Sequence, residues 1–200
     1  MRSKDLIFKN LNSKKPTKRP IVATKDTRYE NRVETFLQNL KKSGANGYEI
    51  KHSLIEDKIQ KLYPDAKNIA SIYEFGIRSI NPNTINTPHE LKDIDLAIIK
   101  AEFGVAENGA VYINEKNNIH QAIYTISKNL IILLDKKSIL DNMHQAYEKI
   151  SSFRQINTLF ISGPSKTADI EQTLVIGAHG AKSVCVLLIS DNESLKLIYN

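Results

Sequence analysis

The sequence predicts an α/β fold: a mainly parallel sheet flanked by helices, preceded by an N-terminal helical extension. Three observations point there. Short apolar runs of strand length recur from Leu91 onward, as in "IDLAIIKA", "NLIILLD" and "VCVLLI". Segments with apolar residues at helical spacing lie between or before them. The run between Asn129 and Asp135 is apolar throughout, as a strand covered on both faces requires. Strands alternating with helices assemble into a parallel sheet because each return crossover packs a helix onto a sheet face.

Taken in chain order, Val33, Phe36, Leu37 and Leu40 recur at i, i+3, i+4 and i+7 and form one stripe of a helix. Ser43, Gly44 and Gly47 mark its end. A second helical segment places Leu54, Ile55, Ile59 and Leu62 on one face and stops before Pro64. "NIASIYEF" reads as a strand and "INPNTINTPHE" as turns. "IDLAIIKA", "FGVAENGAVYI" and "NLIILLD" follow as strand-forming runs. In "KKSILDNMHQAYEKI", Ile139, Met143, Ala146 and Ile150 are spaced for a helix face. "TLFIS" then predicts a strand, "ADIEQTLVI" a helix and "VCVLLI" a closing strand. The expected organisation is a basic tail over 1–20 and one domain over 21–200, with helices about 28–63 and a core sheet about 68–200.

Composition excludes several function classes. Two hundred residues, 41% hydrophobic, bury one substantial core. No apolar run approaches the roughly 18 residues of a membrane helix. The N-terminus lacks the apolar core and cleavage site of a signal peptide, so the expected location is cytoplasmic. The net charge of +6 lies entirely in residues 1–20, which carry seven basic residues and one acid. The remaining 180 residues are neutral, which argues against a nucleic-acid surface on the folded domain and leaves a solvated tail. The lone Cys185, in an apolar run, reads as a small buried hydrophobe, and one thiol cannot ligate an iron–sulfur cluster or a Cys-type zinc ion. The five histidines show no ligand spacing, so no metal is expected in this chain.

Two short stretches carry candidate chemistry. In "SGPSKTADIE", residues 162–171, Gly163 and Pro164 turn the chain sharply after a strand. Thr167 suits the N-cap of the predicted helix, and Asp169 and Glu171 suit its positive end. A helix N-terminus at the carboxyl end of a parallel strand attracts anions, and Ser165, Lys166 and Thr167 would add a cation and two hydroxyls. A nucleotide P-loop is excluded, because Ser165 stands where that motif needs glycine before the lysine. An anion site and a bare structural turn both account for these residues. In "AENGA", residues 106–110, Glu107 is either a buried carboxylate of raised pKa in the same crevice or part of a hairpin in which Asn108 and Gly109 supply positive φ. "GAHG" places His179 either at the sheet edge as a ligand or acid/base group or in an ordinary polar loop between flexible glycines.

The stretch "ISGPSKTADIEQTLVIGAHGAKSVCVLLI" resembles the C-terminal signature of the LUD domain family, LutC/YkgG type, SGPS[KR]TADIE followed by a G-x-H-G-P turn and a closing strand. "AEFGVAENGAVYI" is similar to the family's second block, in which an acidic residue precedes Thr-Gly-Thr. The likeness covers about residues 90–190. It implies a fold similar to the NagB/RpiA/CoA-transferase-like domains and a role as accessory subunit in L-lactate oxidation to pyruvate, with the iron–sulfur clusters on partner proteins. Carried over by position, the resemblance leaves the catalytic residues unknown, with Glu107, Asp169 and Glu171 as candidates. It implies Gly109, Ser162, Gly163, Ser165, Lys166, Thr167, His179 and Gly180 as residues binding a small anionic ligand. The sequence departs from the pattern at Asn108 and Ala110, where the family has threonines, and at Ala181, where it has proline. The alternative on this fold is a stand-alone enzyme or binding protein for a phosphosugar, an acyl-CoA or a folate-like compound.

Overall fold

The computed structural model describes residues 27–114, 120–151, 158–168, 174–176 and 180–191. Its centre is a five-stranded, wholly parallel sheet. Strands β1 (Asn46–Ile50), β2 (Ile69–Ser71), β3 (Leu96–Lys100), β6 (Asn129–Asp135) and β11 (Ser183–Ile189) take the spatial order β1-β11-β6-β3-β2. A second sheet orders β7 (Ile139–Leu140), β4 (Phe103–Val105), β5 (Ala110–Asn114) and β8 (Thr158–Ile161) as β7-β4-β5-β8. β9 (Lys166–Ala168) and β10 (Leu174–Ile176) form an antiparallel pair of their own.

The inner strands β3, β6 and β11 are apolar along nearly their whole length because both their faces are covered. Along β6, Leu130, Ile132 and Leu134 join one core cluster, while Ile131 and Leu133 join another on the opposite face. The first cluster is closed by helix α1 (Arg32–Lys42), through Phe36 and Leu40, and by Val111, Ile113, Leu159 and Ile161 of the second sheet. The second is closed by α2 (Ile55–Leu62), through Ile55 and Ile59. Each such side chain removed from water contributes about 2–3 kcal/mol, which is why the i, i+4 stripes decide where the helices lie. Helix α4 (Met143–Ser151) covers the outer face of the second sheet with Ala146 and Ile150 against Phe103 and Tyr112. The short α3 (Ile123–Ile126) precedes β6.

The element reading holds for both N-terminal helices and for β2, β3, β4, β5, β6, β8 and β11. It differs at four places. Asn46–Ile50 is a strand inside the expected helical extension, and it pairs parallel with β11. Its alternation is faint because it is a half-exposed edge. Ile139, expected on a helix face with Met143, pairs instead with Gly104 through β7, and the helix starts at Met143. β8 pairs antiparallel with β5 and so leaves the parallel sheet. Lys166–Ala168 and Leu174–Ile176, both ends of the helix expected over 168–176, are paired strands. Thr167 is therefore a strand residue and not a helix cap. The β-branched residues at 167, 175 and 176 suit the extended pair, whose cross-strand bonds are invisible to a helical window.

Candidate functional site

The turn after β8 is built by backbone geometry. Gly163 has φ +83°, in the region glycine alone enters freely, and a Cβ there would lie 2.5 Å from the Ser43 carbonyl oxygen at the end of α1. Pro164 is buried beside it. The Ser165 N–H donates to the Ala181 carbonyl at 3.1 Å, which ties the turn to the approach of β11. A Cβ on Gly180 would lie 3.0 Å from the Ser165 Cβ, so Gly180 is the partner in that close approach. Lys166 is exposed, and its Nζ lies 3.2 Å from where a Gly44 Cβ would stand, just past the C-terminus of α1. A cation there suits the negative end of the helix dipole.

Ser162, Gly163, Ser165 and Gly180 thus border one open cavity of about 210 Å³. Its remaining wall is mainly apolar, with Leu130, Leu159, Ile161, Ala181 and Val184. Among the described lining residues, those with hydroxyls are Tyr124, Thr125, Ser162 and Ser165. Leu130 and Val184 are the second residues of β6 and β11, so this hollow opens at the amino ends of the parallel strands. The expected position was the carboxyl end. Because β8 belongs to the second sheet, where it runs antiparallel to β5, the end of that strand is not a carboxyl end of the parallel sheet. No helix begins at Thr167, so the array of free helix N–H groups expected to hold an anion is absent from this turn.

Glu107 and Gly109 form a separate piece of the same surface. The loop of residues 106–109 joins β4 to β5, with Gly109 at φ +68° and its N–H donating to the Val105 carbonyl at 2.9 Å. This is the tight-turn reading, with glycine supplying the positive φ. Glu107 is exposed, where the functional reading expected burial. Its carboxylate accepts the Met143 N–H at 2.9 Å and so caps the first turn of α4. The two loops do meet, since Ser162 Oγ donates to the Asn108 carbonyl at 3.1 Å. The Glu107 carboxylate, occupied with α4, is not among the residues lining the 210 Å³ cavity. Asp169, Glu171 and His179 lie outside the described residues, as does the basic tail, and the Thr167 side chain is likewise undescribed.

A second hollow stands at the opposite edge, where the chain leaves β6 and β11 at their carboxyl ends. It holds about 520 Å³ and is lined by Glu30, Asn31, Arg32, Val33, Lys136, Lys137, Ile139 and Ser190. Arg32 donates to the Ile139 carbonyl at 3.2 Å and stands 3.6 Å from the buried Asp141 carboxylate. Lys136 pairs with Glu49 of β1, both of them partly exposed. Ser190 Oγ donates to the Ile50 carbonyl at 3.1 Å. The sequence reading missed this place. A signal was present, since polar residues "DKKS" and "SDN" follow immediately on the two most apolar strands.

Cys185 is buried in the middle of β11, and desolvation pushes its thiol up to about 12. Such a sulfur stays protonated and offers no thiolate to a metal. Among the described residues no group of three or more His, Cys, Asp or Glu side chains is placed to hold a metal ion, and no helix is long and apolar enough to cross a membrane.

Comparison with known proteins adds a consistent set of likenesses. The family described as LUD domain matches residues 80–189. Lactate utilization protein C of Shouchella clausii is 27% identical over 134 residues, covering 60% of this chain and 58% of that protein. Lactate utilization protein C of Geobacillus thermodenitrificans is 31% identical over 103 residues, covering 48% of this chain and 43% of that protein. The Escherichia coli protein YkgG is 30% identical over 102 residues, covering 48% and 44%. The chain spans about half the length of the curated relatives it matches. A crystal structure of a DUF162 family protein from Deinococcus radiodurans superposes with a TM-score of 0.62 at 13% identity, covering 80% of this chain and 96% of that one, a likeness of fold.

Proposed function

From the premise that this chain belongs to the LUD domain family, we propose that it is a cytoplasmic accessory component of an L-lactate utilisation system, docking partner proteins that carry iron–sulfur clusters. The observation that carries this reading is the set of relatives called lactate utilization protein C, two of them at 27% and 31% identity over 134 and 103 residues. The chain's chemistry is compatible with it. Its one cysteine is buried and protonated, so in this reading electron transfer through thiolate-bound clusters takes place on other chains.

In this reading the surface around the signature turn is where recognition occurs. Ser162, Gly163, Ser165 and Gly180 border a small hollow with an apolar floor and a few hydroxyl residues, suited to a short apolar group carrying one polar end. Lys166, exposed beside it, supplies a cation for an acidic neighbour. Asp169, Glu171 and His179 are assigned to the same surface from the family signature alone.

The test is genetic and biochemical. Deleting the gene in its native cell is expected to abolish growth on L-lactate, and the tagged protein is expected to co-purify with iron–sulfur proteins. Normal growth on lactate together with no cluster protein in the eluate refutes the assignment. A second reading, a ligand-binding protein or enzyme acting alone on a phosphosugar, acyl-CoA or folate-like compound, is favoured by one observation: the 520 Å³ hollow at the carboxyl ends of β6 and β11. Its size lies within the roughly 300–1,000 Å³ usual for small-molecule sites.

A further inference from the structure

We infer that the small-molecule site of this protein is the hollow beyond the carboxyl ends of β6 and β11, and that it takes an organic anion, phosphate or carboxylate, of about mononucleotide size. The inference names a ligand site for the second reading above, yet it stands on geometry that does not involve lactate or partner proteins.

Three observations combine. The hollow lies in the crevice outside the carboxyl ends of two adjacent central strands, where the polar loops of open parallel sheets converge on ligands. With about 520 Å³ it is more than twice the 210 Å³ hollow beside the signature turn, too large for a three-carbon acid alone. Its described lining carries three cations, Arg32, Lys136 and Lys137, against one acid, Glu30.

The cations differ in what they can do. Arg32 is held by the Ile139 carbonyl and by Asp141, so it acts as a fixed positive wall. Lys136 engages Glu49 in a pair whose side chains are 36% and 42% exposed. Such exposed pairs are weak, so exchanging the Glu49 carboxylate for a ligand's anion costs little. Lys137 stands next along the same turn, and the Ser190 oxygen retains acceptor capacity for a ligand hydroxyl while its hydrogen is donated to Ile50. The first turn of α1 is a wall and not the source of the site, because its Glu34 N–H is already taken by the Asn31 side chain. By contrast, the signature-turn hollow has no cation among its described lining residues.

The test uses the purified full chain in thermal-shift titrations with AMP and, separately, with citrate. The variants are the double substitution Lys136→Gln with Lys137→Gln, on a surface turn, and Lys92→Gln, an exposed position ahead of β3 at the opposite end of the parallel strands. The expected result is a melting temperature that rises with the concentration of at least one anion in the wild type and in Lys92→Gln. In the double variant the apparent Kd is expected to weaken by roughly tenfold or more, the scale of a lost charge-assisted contact. Which probe responds decides between a phosphate and a carboxylate head. No response to either anion, an undiminished response in the double variant, or loss of the response in Lys92→Gln overturns the inference. Because the titration contains no lactate and no partner, its failure is separable from failure of the lactate-utilisation reading.

Discussion

Replacing Gly109 by alanine tests how the β4–β5 turn is held against α1. At φ +68° the left-handed conformation alone costs an L-residue about 1–2 kcal/mol. The steric cost is larger. An ideal Cβ at Gly109 lies 2.4 Å from the Leu40 backbone nitrogen and 2.7 Å from its Cα, positions that belong to a helix backbone and cannot rotate away. The turn must therefore lift from the helix. Lifting stretches the Asn39 Nδ2 bonds to the Ala106 and Glu107 carbonyls, at 2.8 and 3.1 Å, each contributing about 1 kcal/mol. The expected loss is about 3–4 kcal/mol, a large part of the roughly 5–15 kcal/mol by which domains are stable. The assay is equilibrium urea unfolding of Gly109→Ala beside Gly44→Ala. Gly44 has φ +91°, but its nearest neighbour would be the movable Lys166 Nζ at 3.2 Å, so only the conformational cost of about 1–2 kcal/mol applies. Equal losses for the two variants would refute the reasoning, because the backbone contact at Leu40 would then contribute nothing.

Glu107→Ala removes the carboxylate that caps Met143 and is expected to lower stability by about 1 kcal/mol, with Glu107→Gln losing less because an amide oxygen still accepts the N–H; urea midpoints of the two variants check the order. Cys185 is expected to resist alkylation at pH 8 in the folded protein and to react fully in denaturant, since a buried thiol with a pKa of about 12 presents almost no thiolate; mass spectrometry reads the label. Asp95 accepts from Lys128 at 2.7 Å and from the N–H groups of Asn68 and Lys67, and the Lys128 ammonium above all holds its carboxyl below the usual value. A group depressed in the folded state stabilises above its unfolded pKa and loses that contribution as pH falls through the folded one. The wild type should accordingly lose stability relative to Asp95→Asn below about pH 4, measured as converging melting temperatures.

Sequence by itself determined the elements whose cause is local. Phe36 and Leu40, or Ile55 and Ile59, fall on one face of a helix at 3.6 residues per turn wherever that helix packs. The apolar runs of β3, β6 and β11 could only be strands covered on both faces, and the signature residues from Ser162 to Glu171 gave the kinship. Gly109 was legible as a turn residue because no other residue enters that conformation freely. The tertiary structure decided what depends on partners far along the chain. Lys166–Ala168 became a strand because Leu174–Ile176 pairs with it, and Ile139 did so because Gly104 does. Glu107 faced α4 because the Met143 N–H stood there to be capped. Above all, the antiparallel pairing of β8 with β5 put the signature turn at the amino edge of the parallel sheet, leaving the basic hollow to the other edge. Strand pairing is a contact between distant segments, so its direction and its side are written in no single window of the chain.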